Sequence, residues 1–354
     1  MFEPTNSGIA LSMCLVATLG WATLNNAVLC THSPPGVFHL NLMVWRFLWT
    51  IVFALFLGSG LCPPSSDSMW QNLKDVFNAP AKIMLTRFGA TFVAGFTDML
   101  FQIFILGGVS AAGLSNSIPL QIGLATISGS FLTYLIERKG NPFFFIPGLC
   151  LNLLAVAFNS ITYGYLRKDQ SKETDDETLL EEDVPKVKTK INVWKLLGIC
   201  VVGAFMAMFW SPSTAIAGQS PHGFNSYSMA VLVSFWSMIT AAPFSYLSMR
   251  HPFTGDPVGF QEWIHTGWRD LLPAIWGGFC WAVGTFGYCL GAPKIGFAVA
   301  YVLSQSTPFI SSLYAIFLWK EFKLATKRTW FFEALMLITM GISVVFLCFA
   351  KAPN

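Results

Sequence analysis

Charge is scarce in this chain. Only 11% of its 354 residues are Asp, Glu, Lys or Arg, whereas 54% are hydrophobic and 33 are Phe. Soluble domains carry roughly a quarter charged residues, so a soluble globular protein is excluded. Histidine is scarce too. His32, His39, His222, His251 and His265 all fall in loops or at the ends of apolar runs, and no Ser/His/Asp arrangement surrounds them. The eight Cys lie mostly inside apolar runs, with no CxxC or Cys/His spacing, and read as small hydrophobes rather than metal ligands. No GxxxxGK[ST] stretch occurs, which removes the phosphate-cradling loop. No enzyme chemistry, cofactor or metal is therefore expected. The bases sit in loops beside apolar runs, where they set membrane orientation and do not form a nucleic-acid surface.

What the chain has is apolar length. A bilayer core is crossed by roughly 20 helical residues, and runs of that length recur throughout. Ten spans are expected, at 8–30, 38–60, 86–109, 112–136, 143–165, 194–217, 227–248, 270–291, 294–318 and 329–350. The first is too long for a cleaved signal peptide, and its leader "MFEPTNS" has an acid and no base. One charged stretch, "RKDQSKETDDETLLEEDVPKVKTK", cannot bury enough apolar area to fold alone. It is read as a flexible linker, 166–193, between a first five-helix unit at 1–165 and a second at 194–354. The loops on the linker's side hold most of the Lys and Arg, which places the linker in the cytosol and both termini outside. The host membrane, plasma or internal, is left open.

The halves read as repeats. "AGF" at 94–96 matches "GGF" at 277–279, and Gly113 matches Gly296 at the same offset. One residue further apart, Gln121 pairs with Gln305, Ser128 with Ser312 and Glu137 with Glu321. Five spans is an odd number, so the second copy enters the membrane inverted. Inverted repeats are a mark of secondary transporters, whose substrate site lies near the midplane between the halves.

The second half also carries "GGFCWAVGT" (277–285), "QSTPF" (305–309) and "FLWKE" (317–321), and the first half "GWATL" (20–24). With "FWSP" (209–212), these stretches resemble the drug/metabolite transporter superfamily, in its ureide permease and glucose/ribose porter branch, which includes transmembrane protein 144-like proteins. The matching residues are Gly278, Trp281, Gly284, Thr285, Gln305, Pro308 and Glu321. The resemblance implies a ten-helix, all-α integral membrane fold of two inverted five-helix repeats. Gln102 stands where the family has Asn in a Gly-Asn pair, and Thr285 takes the equivalent place in the second half. Asp98 has no counterpart in the family pattern.

Polar residues inside the spans locate a candidate site. Gly95, Asp98 and Gln102 share one helix face, as do Tyr301, Gln305, Pro308 and Ser312, and as do Ser117, Gln121 and Ser128. Lipid offers such groups no partner, so the stripes face protein or a wet cavity. The expected substrate-binding set is Gln102, Gln121, Thr285 and Gln305 as hydrogen-bonding groups, with Trp210, Trp281 and Tyr301 as walls. Pro212 and Pro308 each remove a backbone donor within a span and are read as helix kinks. Asp98 and Arg46 lie at similar depth on antiparallel helices. Two readings stand: a fixed ion pair, or a carboxylate that takes up a proton when Arg46 moves away. The function expected is secondary transport of a small polar solute, a sugar or a ureide or nucleobase, by alternating access, with H+ as the candidate coupling ion. The alternative is a receptor or scaffold that transports nothing.

Overall fold

The computed structural model describes residues 2–59, 68–112, 114–178 and 193–351, and among these it is helical throughout, with no strand. The helices are α1 (Ser7–Leu29), α2 (Pro35–Leu57), α3 (Met69–Phe77), α4 (Ala81–Ala112), α5 (Leu114–Glu137), α6 (Pro142–Thr178), α7 (Val193–Ala207), α8 (Trp210–Ala217), α9 (Ser226–Arg250), α10 (Phe260–Ile264), α11 (Trp268–Ile295), α12 (Phe297–Ser304), α13 (Thr307–Leu313) and α14 (Lys327–Phe349). A π-turn (Tyr314–Leu318) and a 3-10 turn (Glu321–Leu324) join α13 to α14. Among the described residues, eight segments are long and apolar enough to cross a membrane. They correspond to eight of the ten expected spans, and the protein is an integral, multi-pass membrane protein.

The other two differ for physical reasons. The eighth span lies within α11, where five Gly with Trp and Tyr dilute the apolar run. The ninth is not one helix, because α12 stops at Ser304 and α13 begins at Thr307. Gly113 lies outside the described residues, as do linker residues 179–192, while α6 continues as helix to Thr178.

Polarity is arranged inside out. Phe56, Phe131, Phe143, Trp194, Phe317 and Phe349 are exposed, while Thr50, Asn152, Ser211, Ser234 and Glu333 are buried. That suits a bundle whose surroundings are hydrocarbon and whose polar groups must be satisfied within. Asn6 and Asn225 cap α1 and α9 by accepting from the amides of Ile9 and Ser228, each at 2.9 Å. Pro35 opens α2 at a position where its missing N–H costs nothing.

Close backbone approach fixes the helices around the centre. α1 lies against α11, and a Cβ on Gly20 would meet the Cys280 carbonyl at 2.6 Å and the Gly284 amide at 2.7 Å. Gly287 and Gly291 continue the seam against Met13, Ala17 and Ala10. α4 in turn packs on α7, α8 and α9, with Gly95 seated against Val233 and Trp236.

Candidate functional site

A cavity of about 50 Å³ lies where α1, α4, α5, α7, α8, α11, α12 and α13 converge. Asp98, Gln102 and Gln305 give it polar walls, and Trp21, Trp210, Trp281 and Tyr301 give it aromatic ones. Of the seven residues expected to bind substrate, five line it: Gln102, Trp210, Trp281, Tyr301 and Gln305.

Gln121 and Thr285 do not. Gln121 is fully buried, and its amide donates to the Phe104 carbonyl on α4 at 3.2 Å, so it ties α5 to α4. Thr285 sits one turn beyond Trp281, buried, with its hydroxyl unpartnered. Ser128 donates back to Leu124 at 2.6 Å, within its own helix. The side chain of Ser117 is outside the described set.

Asp98 is paired. Arg46 on α2 donates to its carboxylate, and both side chains are buried, Arg46 at 1% exposure. The Arg46 guanidinium lies 3.6 Å from the centre of the Trp281 ring. A desolvated cation over Trp is worth about 2 kcal/mol, so one side chain joins the charge pair to the cavity wall. Gly278 lets α11 come close enough, since a Cβ there would lie 2.7 Å from the Trp45 carbonyl carbon. Nearby, His39 is buried inside α2, with Nδ1 2.6 Å from Ser245 Oγ and Nε2 3.2 Å from the Met99 carbonyl. Its place at the edge of an apolar run hid this from the sequence, as only its neighbours on α4 and α9 reveal a buried role.

The two prolines occupy matching places. Pro212 is in the first turn of α8 and Pro308 in the first turn of α13. Each follows a break in its span, at Met208–Phe209 and at Gln305–Ser306, and neither bends a continuous helix. Proline suits a first turn, where the missing amide would have no intrahelical partner. The second break delivers Gln305 and Thr307 to the cavity.

Behind the cavity the aromatic walls continue. Trp21 meets Trp210 edge-on at 5.5 Å between ring centres, and Tyr288 lies 4.7 Å from Trp210. The Tyr288 hydroxyl sits 3.1 Å from Thr214 Oγ1 and 3.3 Å from Ser211 Oγ, and Thr133 donates to Ser211 at 2.9 Å. These contacts pin α5, α8 and α11 together. Trp21 and Thr307 join the site without having been singled out for it by spacing.

The chemistry available is recognition. Two primary amides, a carboxylate and four aromatic faces suit a hydroxyl-rich or amide-rich solute. A drug-sized ligand occupies a pocket of roughly 300–1,000 Å³, so the cavity seen here holds only a few waters and the helices must part to admit a solute.

Residues 265–348 match the family described as "Sugar transport protein". The chain is 24% identical over 268 residues to "Glucose uptake protein GlcU" of Bacillus subtilis (strain 168), covering 74% of this chain and 80% of that protein. A protein of known crystal structure shares the fold at TM-score 0.54 and 15% identity, over 96% of this chain and 98% of its own. These likenesses are to sugar-transport proteins, and they point to a transporter rather than an enzyme.

Proposed function

We propose that this chain is a sugar carrier of ten membrane helices, built as two inverted five-helix repeats and working by alternating access. The observation that carries the reading is the central cavity, which combines Gln102, Gln305 and Asp98 with four aromatic walls. The broken segments α7–α8 and α12–α13 each supply part of it, as the discontinuous helices of inverted-repeat transporters do. The helix pairings also support two-fold pseudosymmetry. The α1–α11 contact has its counterpart in α4 with α7 and α8, the α2–α11 contact in α4–α9, and the α5–α7 contact in α12 with α1. The α2–α9, α5–α12 and α6–α14 contacts map onto themselves under the same exchange. In this reading residues 1–165 and 194–354 are the repeats, and the linker between them lies in the cytosol.

Gln102 and Gln305 bond the solute's hydroxyls, and Trp210, Trp281 and Tyr301 lie along its ring. The Asp98–Arg46 pair closes the site on the side of α2. Sugar is preferred to a ureide because both the family match and the curated relative are sugar proteins by name. The test is counterflow exchange of labelled glucose, ribose, allantoin and uracil by purified protein in liposomes. Glucose or ribose exchange that Gln305→Ala lowers at least tenfold, with unchanged thermal stability, is the expected result. Exchange of none of the four would favour a scaffold, and exchange unaffected by Gln305→Ala would place the solute away from Gln305.

A further inference from the structure

A second buried acid lies far from the cavity. Glu333 on α14 is 0% exposed, and neither of its carboxylate oxygens has a hydrogen-bond partner. Its position across from α6 follows from the ties on either side. Thr326 and Thr329 donate to Asp169 at 2.9 and 2.5 Å, Asn152 donates to Met340 Sδ at 3.3 Å, and Ser343 donates to the Gly148 carbonyl at 2.7 Å. Glu333, between Thr329 and Met340, therefore faces α6 between Asp169 and Asn152. That stretch holds Asn159, Thr162 and Tyr163, which share one helix face and are all buried. The Asn159 carbonyl oxygen and the Thr162 hydroxyl are also unpartnered. Ser312, buried on α13, faces both Glu333 and Tyr163.

The cluster offers hydroxyls on Thr162, Ser312 and Tyr163, and its unpartnered acceptors are the two oxygens of Glu333 and one of Asn159. No base among the described residues pairs with Glu333. The titratable group facing it is Tyr163 on α6, which also lies near Glu321 in the 3-10 turn. Further out, Asp169 is held by α14's first turn and Arg328 lies 4.5 Å over Tyr165. α12 and α13 add no acid or base apart from Tyr301, which lines the cavity. One proton on Glu333 removes the buried, unpaired charge and turns one of its acceptors into a donor.

We propose that Glu333, with Ser312, Tyr163 and Asn159, is a proton-binding site that couples transport to a proton gradient, a role separate from the Asp98–Arg46 pair. The step is a simple protonation: a proton from water joins the carboxylate, and the new O–H donates to an acceptor of the cluster. Glu333 is six residues into α14, about 9 Å of helix from the Lys327 end, so the proton's path to water is short on that side. Ser312 shares the short helix α13 with Thr307, which lines the cavity. Deprotonation places a charge against α13 and pushes that half-helix, whose other end holds the solute. This rests on the carrier reading above, which the test therefore measures separately.

The experiment follows Glu333→Gln in liposomes by two assays: counterflow exchange, which needs no gradient, and accumulation driven by an inward acid gradient. Wild type performing both, with Glu333→Gln keeping exchange within twofold and losing accumulation at least tenfold, is the expected result. Absence of exchange in wild type would overturn the carrier reading itself. Accumulation by Glu333→Gln equal to wild type would overturn the proton site alone, and so would accumulation in wild type driven by sodium in place of acid. If Glu333→Gln loses exchange as well, the infrared band of protonated carboxyl in folded wild type decides. A band that titrates with pH and moves in Ser312→Ala supports the site, and one that does neither removes it.

Discussion

The two buried acids have opposite surroundings. Asp98 sits between α2, α4 and α11 with a guanidinium on its carboxylate and a tryptophan ring on that guanidinium. Glu333 sits between α6, α13 and α14 among hydroxyls, an amide and a phenol, with no base paired to it among the described residues. Burial of a charge is tolerated when it is paired and is otherwise resolved by a proton or a bound cation. In the proposed coupling, the same residue class makes a clasp at one place and a titrating group at the other.

That contrast can be broken by substitution. The largest effect is expected for Arg46→Met, which strands Asp98 in the bundle. Loss of one partner of a buried pair costs about 3–5 kcal/mol, so thermal unfolding in detergent should drop sharply. The double substitution Arg46→Met with Asp98→Leu should recover much of the loss. If the single substitution is neutral, Asp98 is not held as a charge. A middle effect is expected for Trp281→Leu: removing the ring over Arg46 should cost about 2 kcal/mol in the same assay. A drop much smaller than this would mean that the ring serves the cavity and not the pair. The smallest is Glu333→Gln, which replaces a neutral acid by a neutral amide of similar shape. Its stability should stay within about 1 kcal/mol of wild type, the net worth of one hydrogen bond. A deficit as large as that of Arg46→Met would make Glu333 an ionised group with a partner, and the contrast would vanish.

Parts of this arrangement were legible in the sequence. The depth of Asp98 and Arg46 follows from a fixed rise per residue on antiparallel helices, so their meeting could be read from position alone. Gln102 and Gln305 could be placed on polar faces because helical periodicity is regular. Gln121 could not, since the same periodicity cannot say which neighbour a face meets, and here Phe104 on α4 takes its amide. Two continuous helices were expected where proline instead opens a new segment, because a loss of one donor looks alike in sequence whether the helix bends or stops. Glu333 was hidden for a different reason. An acid in the second turn of the last helix reads as the polar shoulder of a helix end, and only the buried stripe of Thr329, Glu333, Met336 and Met340 shows that it faces inward.

The glycine seam between α1 and α11 has a mechanical consequence. Gly20, Gly287 and Gly291 bring the two backbones into contact over several turns, with Trp21 packed on Gly284 and Cys14 on Gly291. One of these helices comes from each half of the chain. In the proposed carrier, the pieces that would move against one another are therefore not the two halves of the sequence. Each body would be a hybrid, with α1 and α11 in one and α4 with α8 in the other. A fragment cut at the linker would carry half of each body and all of neither.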